Sequence, residues 1–245
     1  MSYTKLQKDD DQAVTRFSSD DNICLMTTTG LSKESNEDSI GLVRDGGKTI
    51  VSIGDGHWGK EAAEIATEQI LSSPDTFPGN RDEAIEVSES IEKLIYAKFG
   101  AKLMDENSDF TPETSFASVR INKDGMDVFS YGDCRVIVVR SGKVVYRMNI
   151  EETWIGVFSR LGLRGRKSVS EATLFERVPI KKGDIIMLYT DGVDECIYEV
   201  PTISMDDIVA IVDQNKTAEQ IAQALMDEVF NYGAEDNASM AILKH

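Results

Sequence analysis

Ile50-Val51-Ser52-Ile53-Gly54-Asp55-Gly56-His57 is an apolar, strand-like run that ends on an acid, a glycine and a histidine. Ile185-Ile186-Met187-Leu188-Tyr189-Thr190-Asp191-Gly192 repeats the design far downstream. A carboxylate leaving a strand projects into whatever lies at the sheet edge. The glycine after it lets the backbone turn tightly, so that its carbonyl can approach a cation. Asn36-Glu37-Asp38 and Glu235-Asp236-Asn237 are two further acidic motifs beside strand-like runs. Only a folded core brings four such distant motifs together. Carboxylates gathered alone raise each other's pKa, and the cluster becomes stable when divalent cations sit inside it. Hard oxygen ligands of this kind suit Mg²⁺ or Mn²⁺. The expectation is a two-metal hydrolytic site, with Asp55 bridging ions ~3.5–4 Å apart. A lone Asp-Gly pair is more often turn chemistry, and Gly132-Asp133 alone is equally ambiguous. The ordered set, each member next to a strand, carries the specificity.

Around these motifs, period-2 apolar runs dominate. They predict strands near 22–29, 39–44, 48–54, 115–121, 126–131, 135–140, 143–148, 173–178, 184–190 and 238–243. Asp45-Gly46-Gly47, Lys123-Asp124-Gly125 and Ser141-Gly142-Lys143 read as hairpin turns. Helices are predicted over 59–72, 82–105, 204–214 and 217–231. Ser204 and Thr217 are the N-caps of the last two, and Gln220 gives Thr217 a capping box. This order lacks the strict βαβ alternation of a parallel sheet. It predicts an α+β fold with mostly antiparallel sheets and helix pairs on their outer faces.

The chain has 245 residues, 41% hydrophobic and 28% charged, the composition of a soluble globular protein. We expect a polar, loosely ordered lead-in over 1–20, carrying Asp9-Asp10-Asp11, and a single domain over 21–245. Residues 149–172 stand out for Gly156, Gly162 and Gly165 and for Arg160, Arg164 and Arg166, and read as a surface excursion. With 26 basic and 43 acidic residues the net charge is −17. Such a chain is repelled by nucleic acid and by anionic lipid; solubility alone and a preference for basic partners are both open readings. Cys24, Cys134 and Cys196 show no zinc-ligand spacing, which fits a reduced, cytoplasmic setting. The N-terminus lacks the apolar core of a signal peptide, and no run of ~18 apolar residues would span a membrane.

The segments NEDSIGLV (36–43), DGHWGKEAAEIA (55–66), SFASVRI (115–121), YGDCRVIVVRSGKV (131–144), IIMLYTDGVDE (185–195) and EDNASMAIL (235–243) together resemble the metal-dependent serine/threonine protein phosphatases, the type 2C or PPM family. The resemblance runs from about residue 22 to 243. It implies a four-layer αββα sandwich: two mostly antiparallel sheets flanked by antiparallel helix pairs. It implies that phosphoserine and phosphothreonine in proteins are hydrolysed by a water or hydroxide bridging two Mn²⁺ or Mg²⁺ ions. In that scheme Asp55 bridges the metals, the Gly56 carbonyl joins one, and Asp191 and Asp236 complete the other's ligands. Glu37 and Asp38 act mainly through metal-bound waters. His57 takes the place of the general acid that protonates the leaving oxygen. Asp133, with Asp191 and Glu195, helps to hold a third, weaker ion. The partner implied is a phosphorylated protein, met by a monomeric chain.

Three departures from the family pattern matter. Lys33 stands where an arginine usually grips the substrate phosphate, keeping the charge but losing the bidentate fork. Trp58 stands where glycine is common, and Cys134 replaces a serine. Residues 149–172 match the family's variable flap; their arginines suit an acidic or phosphorylated substrate, or simply solvate a loop. Trp154 and Phe158 read as anchors of that flap. A pseudophosphatase acting as a binding module, and hydrolysis of a small phosphorylated metabolite, are the alternatives.

Overall fold

The computed structural model describes residues 2–6, 14–101, 110–123, 125–194 and 203–245. The chain runs β1 (Ser2–Leu6), β2 (Thr15–Asp20), β3 (Ile23–Thr28), β4 (Ser39–Asp45), β5 (Lys48–His57), α1 (Glu61–Ser72), α2 (Arg81–Phe99), β6 (Glu113–Asn122), β7 (Gly125–Tyr131), β8 (Arg135–Arg140) and β9 (Lys143–Arg147). It continues through β10 (Ile155–Gly156), α3 (Val157–Leu161), α4 (Val169–Ala172), β11 (Thr173–Val178), β12 (Ile185–Tyr189), α5 (Met205–Gln214), α6 (Ala218–Asn231) and β13 (Ala238–Lys244). One sheet has the order β1-β4-β5-β6-β7-β11, with β10 added beside β6; the other has the order β2-β3-β13-β12-β8-β9. The pairings are antiparallel.

Alternate residues of one strand enter different cores, which is what makes four layers. Val51 and Ile53 of β5, Leu25 of β3 and Ile186 and Leu188 of β12 meet between the sheets. Ile50, one step along β5, turns outward to Ala62, Ala66 and Ile70 of α1 and to Ile91 and Ile95 of α2. Cys24, Met26, Met187 and Tyr189 turn outward on the other sheet, against Ile208 and Val212 of α5 and Ile221 and Leu225 of α6. Side chains of successive strand residues point to opposite faces, so a strand covered on both sides reads as a continuous apolar run. Ser204 and Thr217 cap α5 and α6 as expected, each side chain accepting from the N3 amide.

Two expectations need correction. The first twenty residues are not simply a loose lead-in: β1 pairs with β4 and β2 with β3. Both are edge strands, and their sequences carry few apolar residues. The run Asp9-Asp10-Asp11 lies outside the described residues. Residues 149–172 are not merely a surface excursion either. They hold β10, α3 and α4, and Ile155, Val157, Val169 and Ala172 enter the core beneath α2. Phe158 is buried, as an anchor should be. Arg160 lies 3.3 Å from Glu92, and Arg166 donates twice to buried Glu113. Those two arginines neutralise internal acids.

Candidate metal and phosphoryl-transfer site

Strand register carries distant motifs to one end of the two sheets. Ser39, which opens β4, pairs with Gly54 near the end of β5, and Asp55 pairs with Ser115 of β6. Tyr189, which ends β12, pairs with Arg135 of β8 and with Met240 of β13. Asp38, Asp55, Asp133, Asp191 and Asp236 therefore all leave or enter strands at that end.

The motifs interlock backbone to backbone. A Cβ at Gly56 would lie 2.3 Å from the Glu37 carbonyl oxygen, and one at Gly192 would lie 2.0 Å from that of Asn237. Only glycine permits either approach. The Glu37 amide donates to the Asn237 side chain (2.8 Å), whose Nδ2 donates to the carbonyls of Thr29 (2.9 Å) and Ser35 (3.0 Å). Asn36 Oδ1 accepts from the Asp38 amide at 3.0 Å, and its Nδ2 donates to Thr27 at 2.7 Å. Thr190 donates to Asp38 Oδ2 at 3.0 Å and accepts from the Ser239 amide. Motif recognition gave Asn237 and Thr190 no role. Their only signal was adjacency to an acid.

The acids feel one another. Burial, and then the charges of Asp191, Asp38, Asp133 and Asp236, hold Asp55 well above the usual carboxylate range. Burial and neighbouring acids likewise raise Asp38 and Asp191. Burial also raises Asp133 and, against the nearby charge of Lys33, Glu37. Arg135 lies beside this group, its Nε forming an ion pair with Asp194 at 2.8 Å.

The donor set fits hard divalent cations. Asp38 Oδ1 and Asp133 Oδ1 are buried without a hydrogen-bond partner, and mutually repelling oxygens of this kind are satisfied by a shared cation. Among the described residues, no three His, Cys, Asp or Glu side chains yet stand in a metal-holding arrangement. Lys33 Nζ lies 2.7 Å from Asp236 Oδ1. Burial alone would lower the Lys33 pKa, but Asp236, Glu37 and Asp55 hold it above its ordinary value. Glu195 and Cys196 lie outside the described residues.

His57 ends β5 with Nδ1 buried and unpartnered. The Trp154 ring lies 4.6 Å away, and the Arg166 guanidinium lies 4.3 Å from the centre of that ring. Burial first, and then Lys33, lower the His57 pKa to about 4. Trp58 is held at a φ of 59°, rare for a bulky residue, and Arg164 stacks over Trp58, Phe110 and Phe158. Cys134 is a buried thiol beside Ser115.

The family model described as Stage II sporulation protein E (SpoIIE) matches residues 45–245. None of the curated proteins matches the chain in sequence. Solved structures resemble it closely in fold. The catalytic domain of the serine/threonine protein phosphatase PstP, in complex with two manganese ions, has a TM-score of 0.68 at 16% identity, covering 95% of this chain and 99% of that one. A serine/threonine phosphatase of S. agalactiae has a TM-score of 0.67 at 19% identity, covering 91% and 98%. Phosphatase Stp1 of Staphylococcus aureus has 0.70 at 14%, covering 91% and 94%.

Proposed function

The chain belongs to the SpoIIE family, and on that premise we propose that it hydrolyses phosphoserine and phosphothreonine in proteins with the help of two Mn²⁺ or Mg²⁺ ions. One observation carries this reading. Acids from separate turns, Asp38, Asp55, Asp133, Asp191 and Asp236, gather at one end of two sheets, and burial together with the neighbouring acids raises the pKa of Asp38, Asp55 and Asp191. Such a cluster disfavours the folded state unless cations neutralise it.

Asp55, Asp191, Asp236 and the Gly56 carbonyl are the groups we assign to holding the ions. Asp38 and Glu37 orient what surrounds them, and Asp133 joins Asp191 at a weaker third position, with Glu195 the remaining candidate there. Bound ions would supply Lewis acidity and an attacking water of lowered pKa. Lys33 places a positive charge beside the acids, where a phosphoryl group would otherwise be repelled. His57 is the group we assign to protonating the leaving oxygen. As a neutral imidazole it requires the substrate's own phosphoryl charge beside it before it can donate a proton, since a nearby anion favours the imidazolium. A phosphorylated protein is the partner proposed, and a single chain supplies all these groups. Among the described residues no helix is long and apolar enough to cross a membrane.

A second reading, a pseudophosphatase that binds partners, draws on the Lys33–Asp236 ion pair, which occupies a proposed metal ligand. Turnover of a phosphothreonine peptide with and without Mn²⁺, beside the Asp55→Asn variant, separates the two. Mn²⁺-dependent turnover lost in the variant supports the phosphatase. No turnover in either leaves the binding module.

A further inference from the structure

Lys33 sits where the fold compels it to meet Asp236. Leu31, two residues before it, donates its amide to the Ala234 carbonyl at 2.7 Å. Ser35, two residues after it, gives its carbonyl to Asn237 Nδ2 at 3.0 Å. Thr29 accepts from the same Nδ2. Gly30 has a φ of 75°, and a Cβ there would lie 2.3 Å from the Asp236 carbonyl oxygen and 2.5 Å from that of Ala234. The loop bearing Lys33 is thus laced on both sides to the loop bearing Asp236. The resulting ion pair, 2.7 Å long, is partly shielded from water, with side-chain exposures of 35% for Lys33 and 12% for Asp236. Asp236 Oδ1 also accepts from the Asn237 amide at 2.8 Å. Asp236 Oδ1 thus already has two donors.

We propose that Lys33 is a resident cation that competes with a divalent ion for Asp236, so that metal loading and phosphate binding are coupled through this one side chain. The inference rests on the metal-centre reading above and deepens it. Two cations cannot share one carboxylate oxygen at contact distance without strong repulsion. A divalent ion at Oδ1 of Asp236 therefore releases the ammonium, and the released ammonium is available to a phosphoryl oxygen. The coupling is reciprocal, because binding free energies are linked. Phosphate that draws Lys33 away from Asp236 must tighten metal binding by the same factor.

The test measures Mn²⁺ affinity from the electron paramagnetic resonance of the free ion, with and without inorganic phosphate. Lys33→Met is expected to bind Mn²⁺ about fivefold more tightly than wild type. Phosphate is expected to tighten Mn²⁺ binding in wild type and to do so much less in Lys33→Met. Lys93→Met, which removes the same charge from exposed α2, should leave Mn²⁺ affinity unchanged. Equal tightening by Lys93→Met would make the effect one of net charge and overturn the proposal. So would an unchanged phosphate effect in Lys33→Met. If wild type binds Mn²⁺ and Lys33→Met binds it no more tightly, the Lys33 inference alone falls. If neither binds, the metal-centre reading falls and this inference falls with it.

Discussion

Buried acids in this molecule fall into two populations, at different places in the fold. Far from the candidate site, each is matched by arginine. Asp127 on β7 accepts from Arg120 at 2.7 and 3.1 Å and from Arg177 at 2.7 Å. Asp184 accepts from Arg140 Nε and Nη2 at 2.6 and 2.7 Å. At the candidate site, Asp38, Asp55, Asp133 and Asp191 instead have each other as neighbours. A bidentate guanidinium satisfies a carboxylate locally and permanently. A carboxylate set against other carboxylates stays unsatisfied until a multivalent cation arrives. The difference separates acids that serve the fold from acids held against its stability, and the latter are where function concentrates.

Acid-to-amide substitutions on the two sides sharpen that contrast. The largest structural effect is expected at Asp127. Asp127→Asn leaves the mostly buried Arg120 without its counter-charge and should lower the unfolding free energy by about 3 kcal/mol, measured by urea titration, with Mn²⁺ affinity unchanged. An unaltered urea midpoint would erase the distinction. Asp55→Asn should do the reverse. Mn²⁺-dependent turnover should fall by more than the about 10- to 100-fold that removing an outer partner of a metal ligand costs, while the fold persists. A smaller effect of opposite sign is expected for Asp191→Asn in divalent-free buffer. Relief of repulsion should raise the unfolding free energy by about 1 kcal/mol, seen as a higher thermal midpoint, and a lower midpoint would count against the repulsion argument. The smallest concerns pH. Burial works to raise the Asp184 pKa, but Arg140 and the Lys181 amide hold it below its ordinary value. A depressed pKa contributes stability above the unfolded value, about 3.9, and loses it as pH falls through the folded one. Wild type should therefore lose more stability than Asp184→Asn on acidification below about pH 4.

The ten strands and four helices predicted from periodicity all form, because each is covered by a layer that demands a continuous or alternating apolar pattern. The boundaries moved where solvent took over. The helix predicted to continue to residue 105 is described only to Phe99, with Gly100 at its cap. β1 and β2 went unread because Ser2–Leu6 and Thr15–Asp20 carry too few apolar residues to show an alternating pattern. The flap-like segment was read only in part: residues 160–165 are exposed, but its flanks enter the core. Its glycines and arginines look solvated in sequence, yet Arg160 and Arg166 face Glu92 and Glu113.

The sequence by itself determined which acids are candidates and that they stand at strand ends, since a strand followed by Asp and Gly is a local pattern. The family follows from sequence as well, through the match over residues 45–245. Tertiary structure alone decided what each charge meets: that Lys33 faces Asp236, that Arg135 lies against Asp194, and that Trp154 contacts both His57 and Arg166. The physical reason is range. Periodicity and turn chemistry act between neighbours in the chain, whereas charge pairing acts through space between residues that only the register of two sheets brings together.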